Sequence, residues 1–222
     1  MNTPLLELQD VTVPFKNEGG LFHLSLKIER GEFVSLVGKT GTGKSTLLRL
    51  FSALSAPSSG HVFVAGEDIG PYNEAERRWL RRSMGIIPQD RSLLDDRTVL
   101  DNVMLPALIA ELSFQEAKER AILALSKCGV YALSQVRPNN LSTGERQLVA
   151  LARAVVNRPA VILADEPVAH LDDHNTDILL TLLGDFANAG VTVVTASTRA
   201  LGPAQTRSRV IDLTPYTQPG EH

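Results

Sequence analysis
The residues Gly38, Lys39, Thr40, Gly41, Thr42, Gly43, Lys44, Ser45 and Thr46 form one unbroken stretch of types that bind phosphate. Glycines let the backbone wrap closely enough for its N–H groups to point at phosphate oxygens. Lys44 supplies the charge that reaches the β- and γ-phosphates of a nucleotide, and the Ser45 hydroxyl is a ligand for Mg²⁺. A plain glycine-rich turn would use the same glycines. The context separates the two. The apolar run Phe33-Val34-Ser35-Leu36-Val37 reads as a buried parallel strand before the loop. The segment Ser45-Thr46-Leu47-Leu48-Arg49-Leu50 reads as a helix after it, with its N-terminal partial charge facing the loop. Nucleotide binding is the function this stretch implies.

Two further constellations carry chemistry. Asp165-Glu166 closes the apolar run Ala160-Val161-Ile162-Leu163-Ala164. Near a phosphate loop, the first acid can hold Mg²⁺ through water and the second can polarise an attacking water. The same acids could merely cap the next element. Leu141-Ser142-Thr143-Gly144-Glu145 stands directly before a helical pattern. Ser142 with Glu145 makes a capping box, and a capped helix start is also an anion site. The residues alone do not choose between these roles.

The elements that must position these groups can be read in chain order. Leu6–Val13 reads as a strand, and His23–Glu29 alternates as a half-exposed one, with Leu24, Leu26 and Ile28 on one side. His61–Gly66 is another short strand. Asn73–Ser83 is helical and basic, with Arg77, Arg78, Arg81 and Arg82 around Trp79 and Leu80. A solvated face balanced by Glu74 and Glu76 accounts for it better than a lipid- or nucleic-acid-binding patch. Gly85–Pro88 reads as a strand, with Gln89 behind it. Residues 98–157 are helical in pattern, and a block of helices inside an α/β chain suggests a helical subdomain. Asp172 or Asp173 caps a helix running to Asn188, Val191–Thr195 is a third buried strand, and Ser208–Leu213 a last short one. The expected fold is α/β: a phosphate-loop core with an antiparallel β subdomain (1–88 and 158–214), an inserted helical subdomain (89–157) and a flexible tail (215–222).

Composition narrows the function classes. The 222 residues suit one α/β domain with a subdomain, and a net charge of −3 gives no reason to expect nucleic acid. One cysteine, Cys128, excludes an intramolecular disulfide and suits a reducing compartment. Its neighbours Leu125, Val130 and Leu133 point to a buried small hydrophobe. No apolar stretch approaches the length of a membrane span, and the start lacks the basic flank and apolar core of a signal peptide. A soluble chain is expected, with any membrane contact made through a partner.

Taken together, these motifs resemble the ATP-binding subunits of ABC transporters over nearly the whole chain. The resemblance implies ATP and Mg²⁺ as ligands. By it, Phe15 matches the aromatic that stacks on adenine, and Gly38–Thr46 the phosphate loop. Gln89 matches the glutamine that senses Mg²⁺ and the transmembrane partner. Ser142, Thr143, Gly144 and Glu145 resemble the signature that completes the ATP site of an opposite subunit. Asp165 matches the metal aspartate, Glu166 the catalytic glutamate, and Asp172 the loop coupling the two sites. Within the family, Gln89-Asp90, Leu93-Leu94, Asp96-Arg97-Thr98-Val99, Asp101-Asn102-Val103 and Ala152–Ala160 look most like FtsE-type cell-division proteins. That likeness implies a homodimer with two shared ATP sites on the inner, cytoplasmic face of a bacterial membrane. It also implies an FtsX-like transmembrane subunit and control of cell-wall hydrolases. Lipoprotein-releasing and macrolide-export ATPases are near relatives, and such an export role, or an ATP-gated binding module with little turnover, is the alternative.

Three positions depart from the family pattern. Thr143 stands where the signature usually has glycine, and Leu148 where arginine is common. The family's switch histidine follows the third core strand, and aligning Val193–Thr198 sets Ser197 at that position. Slow turnover with intact ATP binding is therefore expected, with Ser197 donating towards the γ-phosphate.

Overall fold
The computed structural model describes residues 3–15, 19–90, 93–202 and 207–219. The chain opens with an antiparallel pair, β1 (Leu6–Pro14) and β2 (Gly19–Ile28). The buried strand β3 (Phe33–Val37) leads through the glycine loop into α1 (Lys44–Phe51). Next come β4 (Ser59–Val64), β5 (Glu67–Asp68), the basic helix α2 (Glu74–Arg82) and β6 (Met84–Ile87). Three helices follow: α3 (Val99–Ile109), α4 (Phe114–Lys127) and α5 (Thr143–Val155). The chain then forms β7 (Val161–Asp165), α6 (Asp173–Asn188), β8 (Thr192–Ser197), β9 (Ser208–Asp212) and β10 (Thr217–Pro219).

These strands form two sheets. One is parallel, in the order β6-β7-β8-β3-β9; the other is antiparallel, in the order β10-β2-β1-β4-β5. Strands β6, β7, β8 and β3 are largely buried, which is why β3, β7 and β8 read as apolar runs, whereas the edge strand β9 is half-buried to exposed. Alternate residues go to opposite sides. Val34, Leu36, Val161, Leu163, Val194 and Ala196 pack with α1 and the antiparallel sheet. Phe33, Ile162, Ala164 and Val193 pack with α3 to α6. The helical block and the parallel sheet thus share one core.

Each helix start has a local cause. Asn73, Thr98, Ser113 and Ser142 each close a capping box with an acid three residues on, and Asp172 caps α6 through the Asn175 N–H. On α2, Glu74 pairs with Arg81 at 2.9 Å and lies 3.8 Å from Arg78, as a solvated face requires. Glu76, expected to balance charge there, instead closes the cap on Asn73.

Two expectations need correction. β2 begins at Gly19, not His23. His23 sits at φ 52° opposite a bulge that also holds Asp10 at φ 52°, so the period-two pattern breaks exactly where the strand continues. Residues 215–219, expected to be part of a flexible tail, form a 3₁₀ turn and then β10, with Thr217 paired to Leu21 and Gln218 to Gly20. The free edge of β2 supplies the backbone partners, and Tyr216 packs against the core.

Candidate functional site
The carboxyl ends of β3, β7 and β8 lie side by side, in register Val37 with Ser197 and Asp165 with Ala196. Ligands of open parallel sheets bind outside these ends, and the candidate site forms here. It is a cleft of about 430 Å³ whose lining includes Phe15, Gly41, Lys44, Ser45, Gln89 and Glu166. Thr40, Gly43, Thr46, Ala169 and Thr198 complete the wall.

The loop is built for close backbone approach. Gly43 caps α1 at φ 87°, and a Cβ there would lie 2.7 Å from the Phe15 ring and 2.8 Å from Leu21. Only glycine fits, so the ring sits directly against the loop. The cap has no side-chain hydrogen bond, which leaves the first N–H groups of α1 facing the cleft. Thr42 Oγ1 donates to the Lys39 carbonyl at 2.9 Å and stiffens the turn. Lys44, buried, donates from Nζ to the carbonyls of Gly38 at 2.7 Å and Lys39 at 3.0 Å. Removing this buried charge should cost dearly. Lys44→Ala is expected to weaken ATP binding by at least about tenfold, which equals about 1.4 kcal/mol. Calorimetry with ATP measures it, and unchanged affinity would refute the phosphate-loop role.

Asp165 ends β7. Its carboxyl is pushed above the usual range chiefly by burial, with the Ser45 hydroxyl and the Lys44 ammonium pulling it back. Its Oδ1 is buried and makes no hydrogen bond. A carboxylate oxygen left without a partner beside a serine hydroxyl fits a hard divalent cation, whose other ligands come from phosphate and water.

Glu166 is the first residue past β7 and sits at φ 43°, a left-handed conformation that costs a non-glycine residue about 1–3 kcal/mol. Its N–H donates to the Ala196 carbonyl at 2.8 Å, which fixes it on the neighbouring strand. Ser197 Oγ donates to Glu166 Oε2 at 3.2 Å. Ser197 is only 2 % exposed and does not line the cleft; Thr198, exposed, does. Of the two hydroxyls, the structure thus places Thr198 on the cleft wall and Ser197, the residue expected to face a γ-phosphate, behind it. Ser197 is the last residue of β8 and turns inward, whereas the residue just beyond the strand reaches the mouth. That rule, applied to the sequence, would have singled out Thr198.

The remaining predicted residues gather elsewhere. Ser142 and Glu145 form their capping box at the start of α5: the Ser142 N–H donates to Glu145 Oε2 at 2.7 Å, and the Glu145 N–H to Ser142 Oγ at 3.2 Å. The Ser142 N–H, then its hydroxyl, hold the Glu145 carboxyl below the usual range. Thr143 is in the first helical turn with no positive φ, so its side chain imposes no backbone strain. Leu148 packs against the core, as a leucine can and an arginine could not without losing water. Asp172 accepts from the Asn175 N–H at 2.7 Å and from its Nδ2 at 2.9 Å. A Cβ on Gly144 would lie 2.3 Å from Asn175 Oδ1, so Asp172, Asn175 and Gly144 interlock the starts of α5 and α6. None of Ser142, Thr143, Gly144, Glu145 or Asp172 lines the cleft of its own chain.

A parallel sheet with a phosphate loop, a half-buried aspartate and a glutamate at one mouth defines a P-loop nucleotide-binding protein. Residues 21–169 match the family described as ABC transporter. The cell-division ATP-binding protein FtsE of Escherichia coli (strain K12) is 44 % identical over 180 residues, 81 % of this chain and 79 % of that protein. The lipoprotein-releasing system ATP-binding protein LolD of Bacteroides thetaiotaomicron is 42 % identical over 183 residues, 82 % of this chain and 84 % of its own. Among solved structures, a dimeric post-hydrolysis state of the ATP-binding cassette MJ0796, bound to ADP and Pi, aligns with a TM-score of 0.80 at 33 % identity. It covers 87 % of this chain and 88 % of that one. The chain belongs to the ABC transporter family, as an ATP-binding subunit with the P-loop ABC ATPase fold. Among the described residues no helix is long and apolar enough to cross a membrane.

Proposed function
We propose that this chain is the slow ATP-hydrolysing subunit of an FtsE/FtsX-like complex that acts in bacterial cell division. The observation that carries the catalytic part is the cleft itself, where Glu166 stands beside Lys44 and Ser45 with its carboxylate held by Ser197. Lys44 and the N–H groups of the loop hold the β- and γ-phosphates, and Phe15 carries the adenine. Ser45 and Asp165, with Gln89 alongside, would hold Mg²⁺, which would supply positive charge to offset that of the phosphate oxygens. Glu166 takes the proton of the attacking water. Thr198 takes the place the family gives to an imidazole, so a short hydroxyl faces the γ-phosphate and turnover is slow. Ser142, Thr143, Gly144 and Glu145, remote from their own cleft, close the second subunit's site, and Asp172 links the two.

A groove of about 480 Å³ supports a membrane partner. It runs between α2, β6, α3 and α5, is lined by Arg78, Arg82, Leu105 and Ile109, and opens next to the strand that leads to Gln89. Apolar floor and cationic rim suit an amphipathic helix with acidic residues. Affinity purification from membranes tests the assignment. Recovery of a four-span, FtsX-like protein with a large extracytoplasmic domain is expected. Recovery of a lipoprotein-releasing membrane subunit would move the chain to that second role, which the LolD likeness keeps open.

Ser197 acts here through Glu166. Ser197→Ala is expected to lower kcat by about tenfold, since a hydrogen bond to a charged group contributes about 1.5–3 kcal/mol, while KM for ATP stays put. Steady-state phosphate release separates the two constants. A raised KM with unchanged kcat would refute the positioning role.

A further inference from the structure
The far end of the molecule holds a second cavity that ATP binding does not use. It has a volume of about 290 Å³ and lies between α4, the end of α5, the start of β7 and α6. Its body is apolar: Leu123, Ala124, Val155, Ile162 and Phe186 are among its walls. Ile162 is near the start of β7 and Asp165 at its end, so the cavity and the ATP cleft sit at opposite ends of that strand. Leu123 is 61 % exposed, an apolar lip that solvation alone does not explain.

The mouth is cationic. Arg120, Lys127 and Arg158 surround it. Lys127 Nζ stands 4.2 Å from the centroid of the Phe186 ring, at the border between wall and water. Arg158 is held at φ 52° by its N–H, which donates to the Val155 carbonyl at 2.9 Å; the next residue, Pro159, also lines the cavity. Among the described residues neither Lys127 nor Arg158 lies in an ion pair. Arg120 acts on Glu116, one turn back on the same helix. Two cations outside any ion pair among the described residues, at the rim of an apolar cavity, match one chemistry: a single anionic head on a slim apolar body. The volume is just under the ~300 Å³ at which small-molecule sites begin, which favours a short chain or one ring over a two-chain lipid.

We infer that this cavity binds a small anionic amphiphile of the fatty-carboxylate class, its head between Lys127 and Arg158 and its chain against Ile162 and Phe186. The occupant bridges the seam where α5 hands over to β7, the strand that carries Asp165 to the ATP cleft.

Octanoate is the probe and 1-octanol its uncharged match. Calorimetry gives affinities, and methyl NMR of Leu123, Val155, Val156 and Ile162 gives the location. Octanoate should bind at least about tenfold more tightly than octanol, with shifts centred on those methyls. The double variant Lys127→Glu/Arg158→Glu, both residues exposed, should weaken octanoate by about tenfold or more and leave octanol unchanged. Leu123→Glu should weaken both. Unchanged ATP affinity in each variant shows that it is folded. Equal affinity for acid and alcohol, undiminished octanoate binding in the double variant, or shifts centred outside the cavity would each overturn the site.

Discussion
Replacing Glu166 by glutamine is expected to slow ATP turnover by about a hundredfold while leaving ATP binding intact. The amide keeps the shape of the side chain and can still accept the Ser197 hydroxyl at the position of Oε2, 3.2 Å away. The left-handed backbone at φ 43° is unaffected, because it is held by the N–H bond to the Ala196 carbonyl. Only the capacity to take a proton is lost. With binding preserved and hydrolysis blocked, the variant should accumulate as an ATP-bound dimer. Phosphate release at saturating Mg-ATP and sizing with and without ATP check both halves. Turnover at the wild-type rate would remove Glu166 as the base and weaken the assignment of Asp165 as metal ligand with it.

Thr198→His carries the second large effect, an acceleration of about tenfold or more. Donors aimed at developing charge contribute a factor of about 10² to 10³, and a threonine hydroxyl is too short to supply all of it. Thr198 is exposed and on the cleft wall, so an imidazole there has room to extend towards the γ-phosphate. The neighbouring position gives the control. Ser197 is 2 % exposed, and forcing an imidazole into it costs about 1–3 kcal/mol of overpacking and breaks the bond to Glu166. Ser197→His should therefore lose activity where Thr198→His gains it. Thr198→Ala should change the rate little. The assay is phosphate release with the membrane partner present. No gain from histidine at Thr198, or a collapse with alanine, would mean that the natural hydroxyl already does the work or that another step limits the cycle.

Much of the site is legible in the sequence because its parts are local. Phosphate binding needs consecutive N–H groups, and consecutive residues supply them: Gly38 to Thr46 between an apolar strand and a helix. Asp165-Glu166 is legible for the same reason, as two acids at the end of a buried strand, one on it and one just past it. The capping boxes at Ser142 and elsewhere depend on a spacing of three, which sequence states directly.

Tertiary structure decided whatever depends on register or on distant partners. The pairing of Val37 with Ser197 turns Ser197 inward and puts Thr198 at the mouth, a one-residue difference that reverses which hydroxyl lines the cleft. Asp165 Oδ1 is buried without a hydrogen bond where Ser45 and Lys44 of α1 approach the end of β7. β10 exists because β2, almost two hundred residues earlier, has an open edge. The second cavity is set by how the ends of α4, α5 and α6 meet, and no residue along any one of them announces it. Local chemistry is written in neighbouring residues. Which side chains face one another across the fold is settled only when the whole core packs, because burial and register are properties of the assembled chain.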